Sequence, residues 1–143
     1  MKIQKATKKD LRALFALESL VFLNEPFALS KASFSYHIKQ NILFTLWEDD
    51  VLAGYILWLK RKNYHRLYSL AVHPHFQGNS FASKLLEYSF EKLKDKKLFS
   101  LEVRASNEKA ISLYEKHSFT CKKILKGFYP DEDGLLFVRN SKR

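Results

Sequence analysis

Gln77-Gly78-Asn79-Ser80-Phe81-Ala82 is the segment whose residue types and spacing most directly suit chemistry. It follows an extended apolar stretch, LYSLAV, and opens an amphipathic helix on small residues with no acidic side chain. The first turn of a helix carries N–H groups without partners and a partial positive charge, so such a loop can hold a phosphate-bearing ligand. A diphosphate needs several N–H donors converging at short range, and small side chains let the backbone approach it. Gly78, Asn79, Ser80, Phe81, Ala82 and Ser83 would supply those amides, with Phe81 turned inward as the first apolar residue of the helix. A ligand-free helix start has the same local pattern, so the loop by itself leaves both readings open.

The elements around the loop follow from periodicity. Lys2 to Ala6 is a short strand, and Thr7 caps a helix with Asp10 three residues on, in the spacing of a capping box. Leu11, Leu14 and Phe15 form that helix's buried stripe. Pro26 stops it from running on, and a second helix covers Lys31 to Lys39. ILFTLWE and VLAGYILWLK are strands joined by a turn at Asp49-Asp50, and RLYSLAV is a third strand ended by His73-Pro74. Phe81, Leu85, Leu86, Phe90 and Leu93 recur at helical spacing. LFSLEVR, from Leu98 to Arg104, alternates as a strand. Asn107 caps a helix with Ala110, Ile111 and Tyr114 inside. Phe119 to Leu125 and Leu135 to Arg139 close the chain as strands. The order β-α-α-β-β-β-α-β-α-β-β describes a mixed α/β domain with helices covering a central sheet.

At 143 residues, 46% of them apolar, the chain is read as one domain, 1–143, with one core. Twenty-five basic against 15 acidic residues give a net charge of +10, which suits an anionic partner or simple solubility. The basic residues are scattered along the chain, so direct nucleic-acid binding is not expected. The single Cys121 points to a reducing compartment, and it reads as a small residue of a strand core. MKIQKATKKD lacks a signal-peptide core, and VLAGYILWL is far short of the ~20 residues that span a bilayer. A soluble, cytoplasmic protein without membrane contact, a monomer or weak dimer, is the expectation. His73 and His75 have no Cys or acidic cluster beside them, so no metal is expected. No Walker-type loop or dinucleotide fingerprint is present.

A family resemblance enters through three motifs in fixed order. Gln77, Ser80 and Ala82 occupy the constrained positions of the loop written Q/R-x-x-G-x-G/A, with serine where glycine is usual. LEVRASNEKAISLYEKHSF (Leu101 to Phe119) follows ExRxxNxxAxxLYxxxxF, and Tyr129 to Gly134 reads Y-P-x-x-D-G. Along essentially its whole length the chain resembles the GNAT (Gcn5-related) N-acetyltransferases, and within them the bacterial ribosomal-protein alanine N-acetyltransferases (RimI type).

The resemblance implies a GNAT fold, a central mostly antiparallel twisted sheet with about four helices, and acetyl-CoA as co-substrate. It implies that Gln77 to Ser83 bind the diphosphate, that backbone groups of Leu70 and Val72 pair with the pantetheine arm, and that Asn107 and Tyr114 also reach the cofactor. It assigns Glu102 as base and Tyr114 as acid, with Tyr129 lining the channel for the acceptor. A peptide α-amine, pKa ~7.7–8.0, must be neutral to attack. A phenol of pKa ~10 can protonate a thiolate of ~8.5 at modest cost. Ser80 has two readings. If the position requires positive φ, serine costs about 1–2 kcal/mol. If it requires only close approach, serine is near neutral and its hydroxyl can donate to a phosphate. The second is preferred.

The implied activity is direct acetyl transfer to the N-terminal α-amine of a protein, a ribosomal protein first. Arg104 and Lys122 to Lys126 could meet cofactor phosphates or an acidic substrate, although the lysines read better as a solvated edge strand. Glu25, Asp131, Glu132 and Asp133 are candidates to receive a basic substrate tail. A small-molecule amine acetyltransferase shares the same chemistry, and a non-catalytic module binding acyl-CoA or RNA is the alternative from another class.

Overall fold

The computed structural model describes residues 1–23, 25 and 28–141. In chain order the elements are β1 (Lys2–Lys5), a 3-10 turn (Lys8–Asp10), α1 (Leu11–Val21), α2 (Lys31–Ile38), β2 (Leu43–Glu48), β3 (Val51–Lys60), β4 (Tyr64–Val72), a second 3-10 turn (Pro74–Phe76), α3 (Phe81–Lys92), β5 (Leu98–Arg104), α4 (Glu108–Lys116), β6 (Thr120–Tyr129) and β7 (Glu132–Asn140). This is the succession expected from periodicity. The seven strands hydrogen-bond in the order β1-β2-β3-β4-β5-β7-β6. The pairs β1/β2, β2/β3, β5/β7 and β6/β7 are antiparallel, and β4/β5 is parallel. Two compact units divide the chain: Met1–Trp58 with Tyr68–Lys92, and Leu59–Leu67 with Leu93–Arg143. None of the described helices is long and apolar enough to cross a membrane.

In the first unit, the Thr7 amide donates to Asp10 Oδ2 at 2.8 Å, which closes the chain entry to α1. The buried face of α1 is Leu14, Leu17 and Glu18. Leu11 and Phe15, expected in that stripe, are only half-buried. Glu18 takes a core position because its carboxylate is fully employed. Oε2 accepts from the Leu29 amide at 2.7 Å, and Oε1 accepts from the Tyr55 hydroxyl. That hydroxyl also meets Ser69 Oγ at 2.9 Å, so the network ties α1 and the segment before α2 to β3 and β4. Burial, then the Glu18 charge, pushes the Tyr55 phenol far above its ordinary range. Ser30 caps α2 by accepting from the Ser33 amide at 3.1 Å. Pro26 lies outside the described residues.

Asp49 takes the turn between β2 and β3 at φ 57°, a conformation that aspartate tolerates better than most residues. Gly54 on β3 has no room for a side chain, since a Cβ there would lie 2.8 Å from the Ala71 carbonyl oxygen and 3.3 Å from Leu85. The close approach seats β4 and α3 together. Phe81, Leu85 and Leu86 are buried along α3, and Phe90 stays half-buried beside Trp58.

In the second unit, Phe99, Leu101 and Val103 alternate inward along β5 and leave Glu102 and Arg104 half-buried. His65 is buried against Phe99 and meets Asp95 at 3.0 Å. The strands β6 and β7 are longer than sequence alone suggests. Gly127, at φ 64°, lies where the pairing register shifts between Leu125 and Tyr129, and its amide donates to Asp133 Oδ1 at 2.8 Å. Cys121 is exposed, against the expectation of a core position. It lies on β6, the last strand in the order, whose side chains are mostly exposed on both faces. The lysines of that strand are the solvated edge expected.

Glu18→Ala removes an acceptor from two buried donors. The variant should lose roughly 2–6 kcal/mol of stability, at about 1–3 kcal/mol per orphaned group. A urea midpoint that gave a loss below about 0.5 kcal/mol would mean that solvent satisfies those donors.

Candidate active site

The first unit holds the loop at the head of α3. His73 Nδ1 accepts from the His75 amide at 3.0 Å, which closes the 3-10 turn before the loop. Among the described residues, no three His, Cys, Asp or Glu side chains gather as metal ligands. Asn79 Nδ2 donates back to the Phe76 carbonyl at 3.0 Å, and the Phe76 ring lies 6.0 Å from that of Phe81. Gln77, Gly78, Asn79 and Ser80 are exposed, Ala82 is half-buried, and Phe81 and Ser83 are buried. The first helical bond of α3 runs from the Lys84 amide to the Ser80 carbonyl at 3.0 Å. Upstream of it, the amides of Gly78, Asn79, Ser80, Phe81 and Ala82 meet no acceptor among the described residues. These are the donors that a diphosphate requires, so the loop fits the group.

Ser80 overturns one expectation. Its φ is 62°, and Gly78 two residues earlier is at 89°. The usual glycine at Ser80 therefore answers a backbone need and not only close approach. A serine there carries a strain of about 1–2 kcal/mol. Left-handed residues in such a turn swing successive N–H groups toward one side, as in anion-binding nests.

The strand leading into the loop offers further backbone groups. The His73 amide bonds to the Ala53 carbonyl on β3 at 2.7 Å. Alternation along a strand then turns the N–H and C=O of Val72 and Leu70 to the opposite edge. On that side, among the described residues, the ladder of β4 with β5 pairs Tyr64, His65 and Arg66. Leu70 and Val72 thus carry backbone groups beyond the end of the pairing.

The second unit holds the candidate acid and base. Glu102 Oε1 is gripped by Arg66 through Nε and Nη2, both at 2.9 Å. Oε2 has no partner among the described residues and is free to accept a proton. Arg66 is a site residue that sequence reasoning missed. It lies on the neighbouring strand, opposite Ser100, and a parallel register leaves no local trace in the sequence.

Tyr114 packs its ring 5.8 Å from Phe119, and burial, with Tyr129 nearby, pushes its phenol up to about 12. That is further from a thiolate of ~8.5 than an ordinary phenol, so complete proton transfer costs more than the sequence reading allowed. The group is better suited to hydrogen-bonding a sulfur as its charge grows. Tyr129 is close enough to Glu102 for burial and that carboxylate to raise its phenol also. Glu102, Tyr114 and Tyr129 thus share one electrostatic neighbourhood.

Tyr129 is positioned by Arg104, whose guanidinium lies 4.4 Å from the ring centre. Arg104 also binds Asp131 at 2.6 Å and Glu132 at 3.2 Å. Glu132 accepts from the Ser106 amide at 3.0 Å and from its hydroxyl at 2.9 Å. The β6–β7 turn is thereby clamped to the connection between β5 and α4. A Cβ at Gly134 would come within 3.1 Å of Phe128 and Tyr129, which explains the glycine of Y-P-x-x-D-G. Arg104 is therefore committed to its own acidic neighbours. Asp131, Glu132 and Asp133, candidates to receive a basic tail, already make internal bonds. Asn107 caps α4, its Oδ1 accepting from the Ala110 amide at 3.1 Å.

Two measurements check this geometry. Ser80→Gly should raise stability by about 0.5–1 kcal/mol, the relieved strain less the added chain entropy of glycine; a loss would mean that the hydroxyl makes a needed contact. The second concerns Tyr114, whose folded pKa lies above the unfolded value of ~10. Its contribution to stability is full below pH ~10 and fades as pH climbs through the folded pKa. Ultraviolet titration should show that Tyr114→Phe lacks one phenolate of the late, high-pH phase. Loss of one from the phase near pH 10 would contradict the burial.

Residues 9–119 match the model of the acetyltransferase (GNAT) family. An N-alpha-acetyltransferase of Saccharolobus solfataricus is 36% identical over 126 residues, spanning 74% of this chain and 74% of that protein. The [ribosomal protein bS18]-alanine N-acetyltransferase of Escherichia coli (strain K12) is 30% identical over 128 residues, spanning 87% and 84%. The crystal structure of the ribosomal-protein-S18-alanine N-acetyltransferase from Escherichia coli superposes with a TM-score of 0.87 at 26% identity, covering 99% of this chain and 94% of that one. With its phosphate-ready loop, its mostly antiparallel sheet and this family match over most of its length, the chain belongs to the GNAT acetyltransferase family.

Proposed function

We propose that the protein transfers the acetyl group of acetyl-CoA directly to the N-terminal α-amine of a protein, with a ribosomal protein as the first candidate. The observation that carries the reading is the row of amides from Gly78 to Ala82 without acceptors among the described residues. The choice of acceptor is supported by the names of the relatives, which are N-terminal acetyltransferases.

Acetyl-CoA supplies a thioester whose carbonyl carbon is open to an amine. The amides at the head of α3 would hold its diphosphate, with the side chain of Gln77 at the loop entry. Backbone groups of Leu70 and Val72 would pair with the pantetheine arm. Asn107, whose Oδ1 is used as a cap, would offer its side-chain nitrogen to the cofactor. Tyr129 would line the acceptor's path.

An α-amine of pKa ~7.7–8.0 is largely protonated at neutral pH. Glu102, through Oε2 or an intervening water, would take the proton that the amine must lose. Arg66 keeps that carboxylate oriented. As the C–S bond breaks, Tyr114 would donate its hydroxyl hydrogen to the departing sulfur. The raised phenol ensures that the hydrogen is present throughout the neutral range.

The test is mass spectrometry of peptides copying protein N-termini, alanine-first ribosomal sequences among them, incubated with acetyl-CoA beside a panel of small amines. A gain of roughly 42 daltons on the α-amine is expected. Modification of small amines alone would replace the acceptor. Tight coenzyme A binding with no transfer to any amine would make the chain a binding module. Tyr114→Phe and Glu102→Gln should each lower kcat by about 10²-fold and leave coenzyme A affinity within a few-fold. An unchanged rate would remove that residue from the chemistry.

A further inference from the structure

We propose that a basic hollow at the heads of α1 and α2 docks the phosphodiester backbone of RNA. Lys8, Lys9, Leu11, Arg12 and Lys31 line a concavity of about 550 Å³. All four cations are exposed. None meets a carboxylate among the described residues, and Lys31 Nζ lies 5.3 Å from the centre of the Phe15 ring. Lys8 and Lys9 lie on the 3-10 turn, Arg12 on α1 and Lys31 on α2, so the fold brings Lys31 to three cations that are already close in sequence.

Stability does not account for the cluster. Cations near a helix N-terminus oppose the macrodipole at about 0.3–1 kcal/mol each, and four like charges around one hollow repel. The first turns of α1 and α2 contain no acidic residue to offset this. Asp10 is turned back to the Thr7 amide and is buried. An arrangement that costs folding energy is consistent with a polyanion that supplies the missing counter-charge.

The hollow is not the diphosphate site. Along β1, Lys5 pairs with Phe44 and Lys2 with Trp47, so the Asp49 turn lies past the Lys2 end. His73, which leads into the α3 loop, bonds to Ala53 just beyond that same turn. The basic hollow follows Lys5, at the other end of these strands. Its lining also selects among anionic partners. Protein partners are held by buried apolar anchors, and here Leu11 is the single apolar residue. Four charge donors with flexible stems match a repeating phosphate instead. The expectation that the protein makes no direct nucleic-acid contact rests on the scatter of basic residues along the chain; the packing of α1 against α2 adds Lys31 to the group at Lys8, Lys9 and Arg12.

The test is fluorescence anisotropy of the full-length protein with a labelled single-stranded RNA of about 20 nucleotides. Acetyl-CoA is absent, so the outcome is independent of acyl transfer. Four phosphate contacts give a salt slope of about 3, hence roughly 50-fold weaker binding at 200 than at 50 mM salt. K8Q/K9Q/R12Q/K31Q should bind at least about tenfold more weakly, with the slope reduced by about 3, and should keep peptide acetylation and circular dichroism unchanged. K122Q/K123Q/K126Q on β6 removes comparable charge and should change affinity by less than about threefold. Three results would each overturn the proposal: no RNA binding by the parent protein, equal losses in the two variants, or displacement of the RNA by polyglutamate as readily as by unlabelled RNA.

Discussion

Five consecutive amides at the head of α3 lack an acceptor among the described residues, and the surrounding first unit is built to keep them presented. Exposed amides are readily solvated, so the arrangement is sustainable without a ligand, yet it requires the chain to enter the helix along an unusual path. Gly78 and Ser80 take left-handed conformations, Asn79 ties its side chain back to Phe76, and Phe81 is buried as the first helical residue. Beneath them, Gly54 permits a backbone approach that no side chain could share. That contact seats β4, and with it Leu70 and Val72, against the strand that fixes their orientation. Local strain at Ser80 is thus held by long-range packing, the usual condition for strained residues at functional sites.

The second unit is organised by arginines. Arg66 orients Glu102, and Arg104 joins the turn carrying Asp131 and Glu132 while lying over Tyr129. Each guanidinium meets its partners in fixed geometry, as a point-like ammonium would not. The charge excess of +10 is therefore not distributed evenly in effect. Near the candidate acid and base, opposite charges are paired. At the heads of α1 and α2 they are not. Electrostatics in one region positions side chains and in the other remains available to a partner.

Much of the fold was readable because its signals are short-range. Apolar periods separate strands from helices, Thr7 and Asn107 sit at helix starts, and Asp49-Asp50 marks a turn. What the sequence does not show has long-range causes. Glu18 is buried because Leu29 and Tyr55 converge on it, a meeting invisible from α1 alone. Cys121 is exposed because its strand ends the sheet. The last hairpin is longer than its local pattern because Gly127 interrupts the alternation while the strand continues through an irregular register.

By itself, the sequence determined the order of elements, the small-residue loop before α3 and the motifs that relate the chain to its family. These depend on propensities and spacings within a few residues. The tertiary structure alone decided the backbone angle of Ser80, the pairing of Glu102 with Arg66, the burial that raises the Tyr114 phenol, and the gathering of Lys31 with Lys8, Lys9 and Arg12. Each depends on strand register or helix packing between distant segments, and local patterns do not specify which distant groups will share a surface.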